Sequence, residues 1–317
     1  MVRIILSLLF ATIVSGAVAD TSSLILEAEQ VFEASRVVCF GVSDEIAKIA
    51  NMSKANTAVS AVGTVAASGG LAAGIQKSAI ESEIDQLIKD ICNNGGCTPD
   101  GVSAMSNEDF FKKVIEPMAK IAELQEKINQ SKKVGNWRTG LMAGTIGTNL
   151  ASAIISGLNI NQTELQQRVT ACNESIKIAA TVESRLKTAG VNPIENPVLG
   201  KLEKLKNWCA QIDINDIEKI EKRMKGVLGT SVAGTVFGVV GTGTSAAANS
   251  DKYMDITNKV RLSDEEKKKE KNLNLTANVM AGANVATGVV ETGLNISLIM
   301  LTKKLITNAE RCEKVFE

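Results

Sequence analysis

From Gly226 to Ser250 the chain reads GVLGTSVAGTVFGVVGTGTSAAANS, 25 residues with no charge, no proline and one aromatic. Three other stretches resemble it: Ala55 to Gln76, Thr139 to Thr163, and Asn272 to Thr302, the last interrupted by Glu291. Glycine inside a helix costs up to ~1 kcal/mol relative to alanine, and β-branched residues cost less. A helix bathed in water has little reason to collect both. In a bilayer, small residues let helix backbones approach, and packing replaces the missing hydrophobic drive between helices. About 20 residues cross ~30 Å of hydrocarbon, and a stretch of this length suffices. The alternative is a fully buried helix in a soluble bundle, its glycines crowded by neighbours.

The spacing Gly226, Thr230, Gly234, Gly238 predicts one small-residue stripe, because residues four apart share a helix face. In Thr139–Thr163, Met142, Ile146, Leu150, Ile154 and Leu158 form an apolar stripe, and Gly140, Gly144, Thr148 and Ser152 a small one. Large side chains toward lipid and small ones toward a partner helix is the expected arrangement. Ala55–Gln76, mostly Ala, Gly and Ser, is the weakest span, and Gly69-Gly70 a place for a kink or turn.

Composition removes several function classes. Lysine plus arginine equals aspartate plus glutamate at 35 each, so no basic face is available for nucleic acid. The chain has no histidine, the commonest general base and neutral metal ligand. No catalytic, cofactor or metal site is expected, and no enzyme. The expected partner is membrane lipid or a helical protein.

Residues 1–19 read as a secretory signal: Arg3, an apolar run from Ile4 to Val14, and Ala17-Val18-Ala19 before Asp20. Export makes the six cysteines disulfide candidates. Residues 22–54 are helical in pattern, with Gly41 a break. Cys92 and Cys97, with the four residues Asn-Asn-Gly-Gly between them, suit a local disulfide loop. A helix with a core stripe from Phe110 to Ile128 follows, bent at Pro117. Trp137 between Lys132, Lys133 and Arg138 has the pairing typical of a membrane interface. Asn192-Pro193 and Asn196-Pro197 break the chain at 190–198. Asp251 to Leu262 is short and polar. Ser263 and Glu266 form a capping box, and Lys267-Lys268-Lys269 reads as a solvated face.

Residues 46–65 match residues 217–236 without a gap, and eight of the twenty positions are identical, Lys48, Ile49 and Lys54 against Lys219, Ile220 and Lys225 among them. Met142-Ala143-Gly144 likewise answers Met280-Ala281-Gly282. The chain is therefore internally duplicated. The expected fold is all-α: a first helical hairpin unit over 20–189 with an insertion at about 78–135, a linker at 190–198, and a second hairpin unit over 199–317. Cys39 and Cys209 each precede the first uncharged stretch of a half; Cys172 and Cys312 each follow the second. Gly63 lies 24 residues beyond Cys39, Gly144 28 before Cys172; Gly234 lies 25 beyond Cys209, Gly282 30 before Cys312. Near-equal arms at ~1.5 Å per residue bring the cysteines of an antiparallel hairpin level. Cys39–Cys172 and Cys209–Cys312 are predicted, with Cys172–Cys209 the chief rival.

These features predict an exported, membrane-associated helical envelope protein with a structural or interaction role. The alternative is a secreted soluble helical bundle that inserts into membranes as a pore-former. Glu291 is the candidate membrane-buried carboxylate: in a span it is costly and marks a pathway or partner, in a soluble bundle it is a surface residue.

Overall fold

The computed structural model describes residues 21–93, 116–160, 163–192 and 196–317. The fold is all-α. In chain order the helices are α1 (Thr21–Cys39), α2 (Val42–Asn93), α3 (Glu116–Ile160), α4 (Thr163–Thr188), α5 (Pro197–Cys209), α6 (Ile214–Ala248), the short α7 (Asp251–Met254) and α8 (Ile256–Arg261), and α9 (Asp264–Glu313). Gly41 ends α1 at φ +83°, a left-handed conformation open to glycine. Beside it, Glu313 caps α2, accepting from the backbone N–H groups of Gly41 and Ser43, each at 3.0 Å, and from Ser43 Oγ at 2.7 Å. Asn196 caps α5 through Val198 N–H, with Pro197 in the first turn, where its missing donor costs nothing. The capping box of α9 forms: Ser263 N–H donates to Glu266 and Glu266 N–H to Ser263 Oγ. Pro117 lies at the start of the described part of α3.

Gly69-Gly70 does not turn the chain; α2 runs through it. The two glycines lie where Leu141 and Met142 of α3 approach, so they serve close packing.

The helices divide between two compact units, one formed by Met1–Thr57, Ile154–Leu228 and Gly293–Glu317, the other by Ala58–Ala153 and Gly229–Thr292. This partition differs from the tandem halves of the sequence, since each unit draws on both halves. The helices flanking the Asn-Pro break, α4 and α5, fall in the same unit.

In the first unit α1 packs on α4 and α5 on both. Its core is conventional: Leu24, Val31, Phe32, Val169, Val182, Leu186, Leu199, Leu202 and Leu205 are buried together, and the rings of Phe32 and Phe316 lie 5.3 Å apart.

In the second unit the segments of α2, α3, α6 and α9 form a ring of antiparallel neighbours. Gly63 faces Thr148 and Gly70 faces Met142; Gly234 faces Asn149 and Gly241 faces Met280; Gly288 faces Thr64. Buried positions step by three and four: Ser60, Gly63, Ala67, Gly70, Gly74, Lys77 on α2; Arg138, Met142, Thr145, Asn149, Ser152 on α3; Ser231, Gly234, Gly238, Gly241, Ser245 on α6; Asn274, Ala277, Ala281, Asn284, Gly288, Glu291 on α9. Steps averaging 3.5 residues keep a seam against its neighbours along long helices. This corrects the expected four-residue stripes. Gly226 and Thr230 lie off the buried line, Met142 is buried rather than outward, and Gly144 is exposed. Away from the seam, Ile80, Ile84, Ile88 and Ile91 of α2 pack on Leu124 and Ile128 of α3 in an ordinary aliphatic cluster.

Candidate functional site

The seam of the second unit is polar where a soluble bundle is apolar. At Glu291 each of the four helices contributes one side chain. Ser60 of α2 and Ser152 of α3 both donate to Glu291 Oε1, and Ser231 of α6 donates to Ser152 Oγ at 2.9 Å. Glu291 is 1% exposed, so it is not the surface residue that a soluble reading allows. Nearby, the Asn284 amide lies 3.0 Å from both the Asn149 amide and the Thr145 hydroxyl. Gly234 makes this layer possible, because a Cβ there would sit 2.6 Å from Asn149 Nδ2.

The outward faces of the same segments are aliphatic. Val62, Val65 and Ile75 on α2, Leu150 on α3, Val232, Val236, Val239 and Val240 on α6, and Leu275, Val279, Val289 and Val290 on α9 are all exposed. Trp137, singled out as an interface aromatic, is exposed as well. Burial is thus inverted: hydroxyls, amides and a carboxylate inside, valines outside.

The seam ends in charge. Lys259, on the short α8, reaches Glu81 of α2 and Glu270 of α9, and Ser131 of α3 donates to Glu81 at 2.6 Å. Burial pushes Glu270 up to about 7, helped by the Glu81 charge and opposed by Lys259. Burial also raises Glu81, but the Lys259 charge and hydrogen bonds from Lys259 and Ser131 outweigh it, so Glu81 sits below the usual carboxylate range. Lys259 sits above the usual lysine range, because its two carboxylates outweigh its burial. Lys77, 1% exposed, donates to Ala248 O at 3.2 Å and Asn249 Oδ1 at 3.0 Å, and burial lowers it to about 8. Arg138, fully buried, donates to Asn274 Oδ1 and O at 3.3 and 3.0 Å, and burial lowers it to about 10. The polar look of Asp251–Leu262 concealed this. Tyr253, Met254, Lys259 and Leu262 are buried, and only the fold brings Lys259 its two acids.

Cys39 is bonded to Cys172 and Cys209 to Cys312, with Cα–Cα distances of 4.9 and 4.5 Å; these are the pairs the arm lengths favour over Cys172–Cys209. All four are in the first unit. The sulfurs of Cys39, Cys172 and Cys312 lie within 4.8 Å of one another, but as disulfide sulfurs they are not free to ligate a metal. The Cys92–Cys97 loop, the residue 1–19 signal and the Phe110–Ile115 part of the stripe lie outside the described residues; beyond it, Leu124 and Ile128 are buried and Ile121 is exposed.

Among the described residues, three helical stretches are long and apolar enough to cross a membrane: Thr21–Ile91, Pro197–Ala248 and Asp264–Glu313. Within the described residues the stretch on α3 is not among them. Compared with protein-family models, curated proteins and solved structures, the chain matches none.

Proposed function

We propose that the chain is an exported membrane protein of structural or interaction type, with residues 55–76, 139–163, 226–250 and 272–302 as its spans. The two disulfides, both in the first unit, lie on the oxidising side. The inverted burial carries this reading. Fully burying one Val or Leu contributes about 1.5–3 kcal/mol, so a bundle that points twelve such side chains outward forfeits its main driving force in water. Its interior of Gly, Ser, Asn, Glu and Ala, with Met142 the one large apolar side chain of the seam, offers little apolar replacement. In lipid the valines are solvated, and each interhelical side-chain hydrogen bond adds about 0.6 kcal/mol. The α3 stretch then crosses as part of the bundle, its polar residues turned inward. Both disulfides fit an oxidising compartment. The glycines bring the helices into contact and fill the interior, which favours a closed bundle over the pore-forming alternative.

Alkaline carbonate extraction of host membranes tests this: the protein is expected in the pellet, and release into the supernatant would refute integral insertion. Labelling single cysteines placed at 60, 120, 180 and 260 then reads sidedness, with 180 expected on the exported side and 120 and 260 opposite.

A further inference from the structure

We propose that the charged end of the second unit is a phosphate-binding site, entered by the groove between α2 and α9 and taking an acidic phospholipid head group or free phosphate.

The first observation is a buried excess of positive charge. Arg138 and Lys77 are both buried, and the acceptors they reach are neutral: Asn274, Ala248 O and Asn249. The two carboxylates at this end, Glu81 and Glu270, are both engaged by Lys259. Three buried cations face two acids, and an uncompensated buried charge is costly.

The second observation is a pair of orphaned atoms. Arg138 Nε, a guanidinium donor, has no partner, and neither does Asn278 Oδ1, an acceptor; of the two only the Arg138 donor calls for an anion. Both crowd the position a Cβ on Gly74 would take, so they lie close together behind the groove wall. Asn278 belongs to that wall, its Nδ2 donating to Ser78 Oγ at 3.3 Å.

The third is the groove, about 440 Å³, lined by Ser78, Asn274, Asn278, Lys267, Lys268 and Lys271. Its free acid is Asp85, since Glu81 and Glu270 are taken by Lys259. The three rim lysines form no ion pair among the described residues. Serine hydroxyls, two amides and three ammonium groups around one opening, with the Arg138 guanidinium buried behind its wall, match the several acceptor oxygens of a phosphate group. Position agrees with this. Lys77 follows the first uncharged stretch, Arg138 precedes the second and Lys271 the fourth, which is head-group depth if those stretches span. The free-phosphate arm does not depend on spanning, so the two proposals fail separately.

The test is thermal unfolding of the full chain in neutral detergent at fixed ionic strength. One arm adds inorganic phosphate; the other adds phosphatidylglycerol, against phosphatidylcholine. A ligand that binds only the folded state raises Tm, by roughly 2–4 °C at several-fold excess over Kd. A rise with phosphatidylglycerol alone assigns a lipid head group; a rise with inorganic phosphate assigns the free ion. No rise in either arm beyond the chloride and phosphatidylcholine controls overturns the proposal. The rim variant Lys267→Glu/Lys271→Glu, whose changes lie at the groove mouth, is expected to weaken the response about tenfold or more. Asn278→Asp supplies the missing anion beside Arg138 Nε. It is expected to raise Tm without ligand and to abolish the ligand-dependent rise. An Asn278→Asp protein that responds as the wild type does would also overturn it.

Discussion

The charged end of the seam predicts an unusual stability profile against pH. Glu270 is held at about 7 in the fold against 4.5 in an ordinary glutamate. Its folded state therefore binds more protons than the unfolded state across that interval, and stability falls as pH rises from about 4.5 to 7. Lys77 runs the other way. Its pKa is about 8 against an ordinary 10.5, so the unfolded state binds more protons and stability rises between those values. Each flank amounts to at most about 3 kcal/mol, at 1.36 kcal/mol per pKa unit. Glu81, depressed, acts only below the ordinary glutamate range, and Lys259, elevated, only above the ordinary lysine range. Arg138, about 10 in the fold, adds to the alkaline rise. The result is a trough between pH 7 and 8.

The background is favourable, because the chain has no histidine, the usual source of titration near neutrality. Thermal unfolding followed at 222 nm in detergent from pH 4.5 to 10 reads the profile. The trough is expected to lie roughly 6–12 °C below its flanks. Glu270→Gln should flatten the acid flank and leave the alkaline one, and Lys77→Met the reverse. A profile that is flat or peaks near neutrality, or a Glu270→Gln protein with the acid flank intact, would refute the reasoning.

Glycine substitutions should separate seam from surface. Gly234→Ala drives a Cβ into the Asn149 and Asn284 amides and is expected to cost about 1–3 kcal/mol, whereas Gly144→Ala meets nothing within 4 Å and should gain up to ~1 kcal/mol of helix propensity; equal melting shifts would contradict the packing. At Glu291, Leu strands the Ser60 and Ser152 hydroxyls at about 1–3 kcal/mol each, while Gln keeps an acceptor, so in denaturant titrations the Gln protein should be the more stable of the two. The disulfides close loops of 133 and 103 residues, and loop entropy assigns each about 5 kcal/mol; a dithiol reductant should sharply lower the melting of the α1–α4–α5 unit, and an unchanged melt would count against that assignment.

What the sequence revealed and what it hid divide along a physical line. Absence of charge over 25 residues identifies a helix that hides its backbone from water, and the four such stretches became the four helices of the polar-seamed bundle. Cysteine arms of near-equal length sufficed to pair Cys39 with Cys172 and Cys209 with Cys312, because a helix converts residue count into distance. The buried face did not follow from the same residues. Hydrophobic contrast normally selects it, and among Gly, Ser, Thr and Ala there is little contrast. Only the large residues carried a signal: Val232, Val236, Val239 and Val240 sit together outside, leaving Ser231, Gly234, Gly238 and Gly241 to the seam. Lys259 was illegible for a different reason. Its environment is made by Glu81, 178 residues away, and by Glu270 across the α8–α9 turn, and no local window contains that arrangement. Glu291 lies between the two cases. Its charge stood out against an uncharged stretch, but the serines that hold it come from three other helices, so its burial is a property of the bundle rather than of α9.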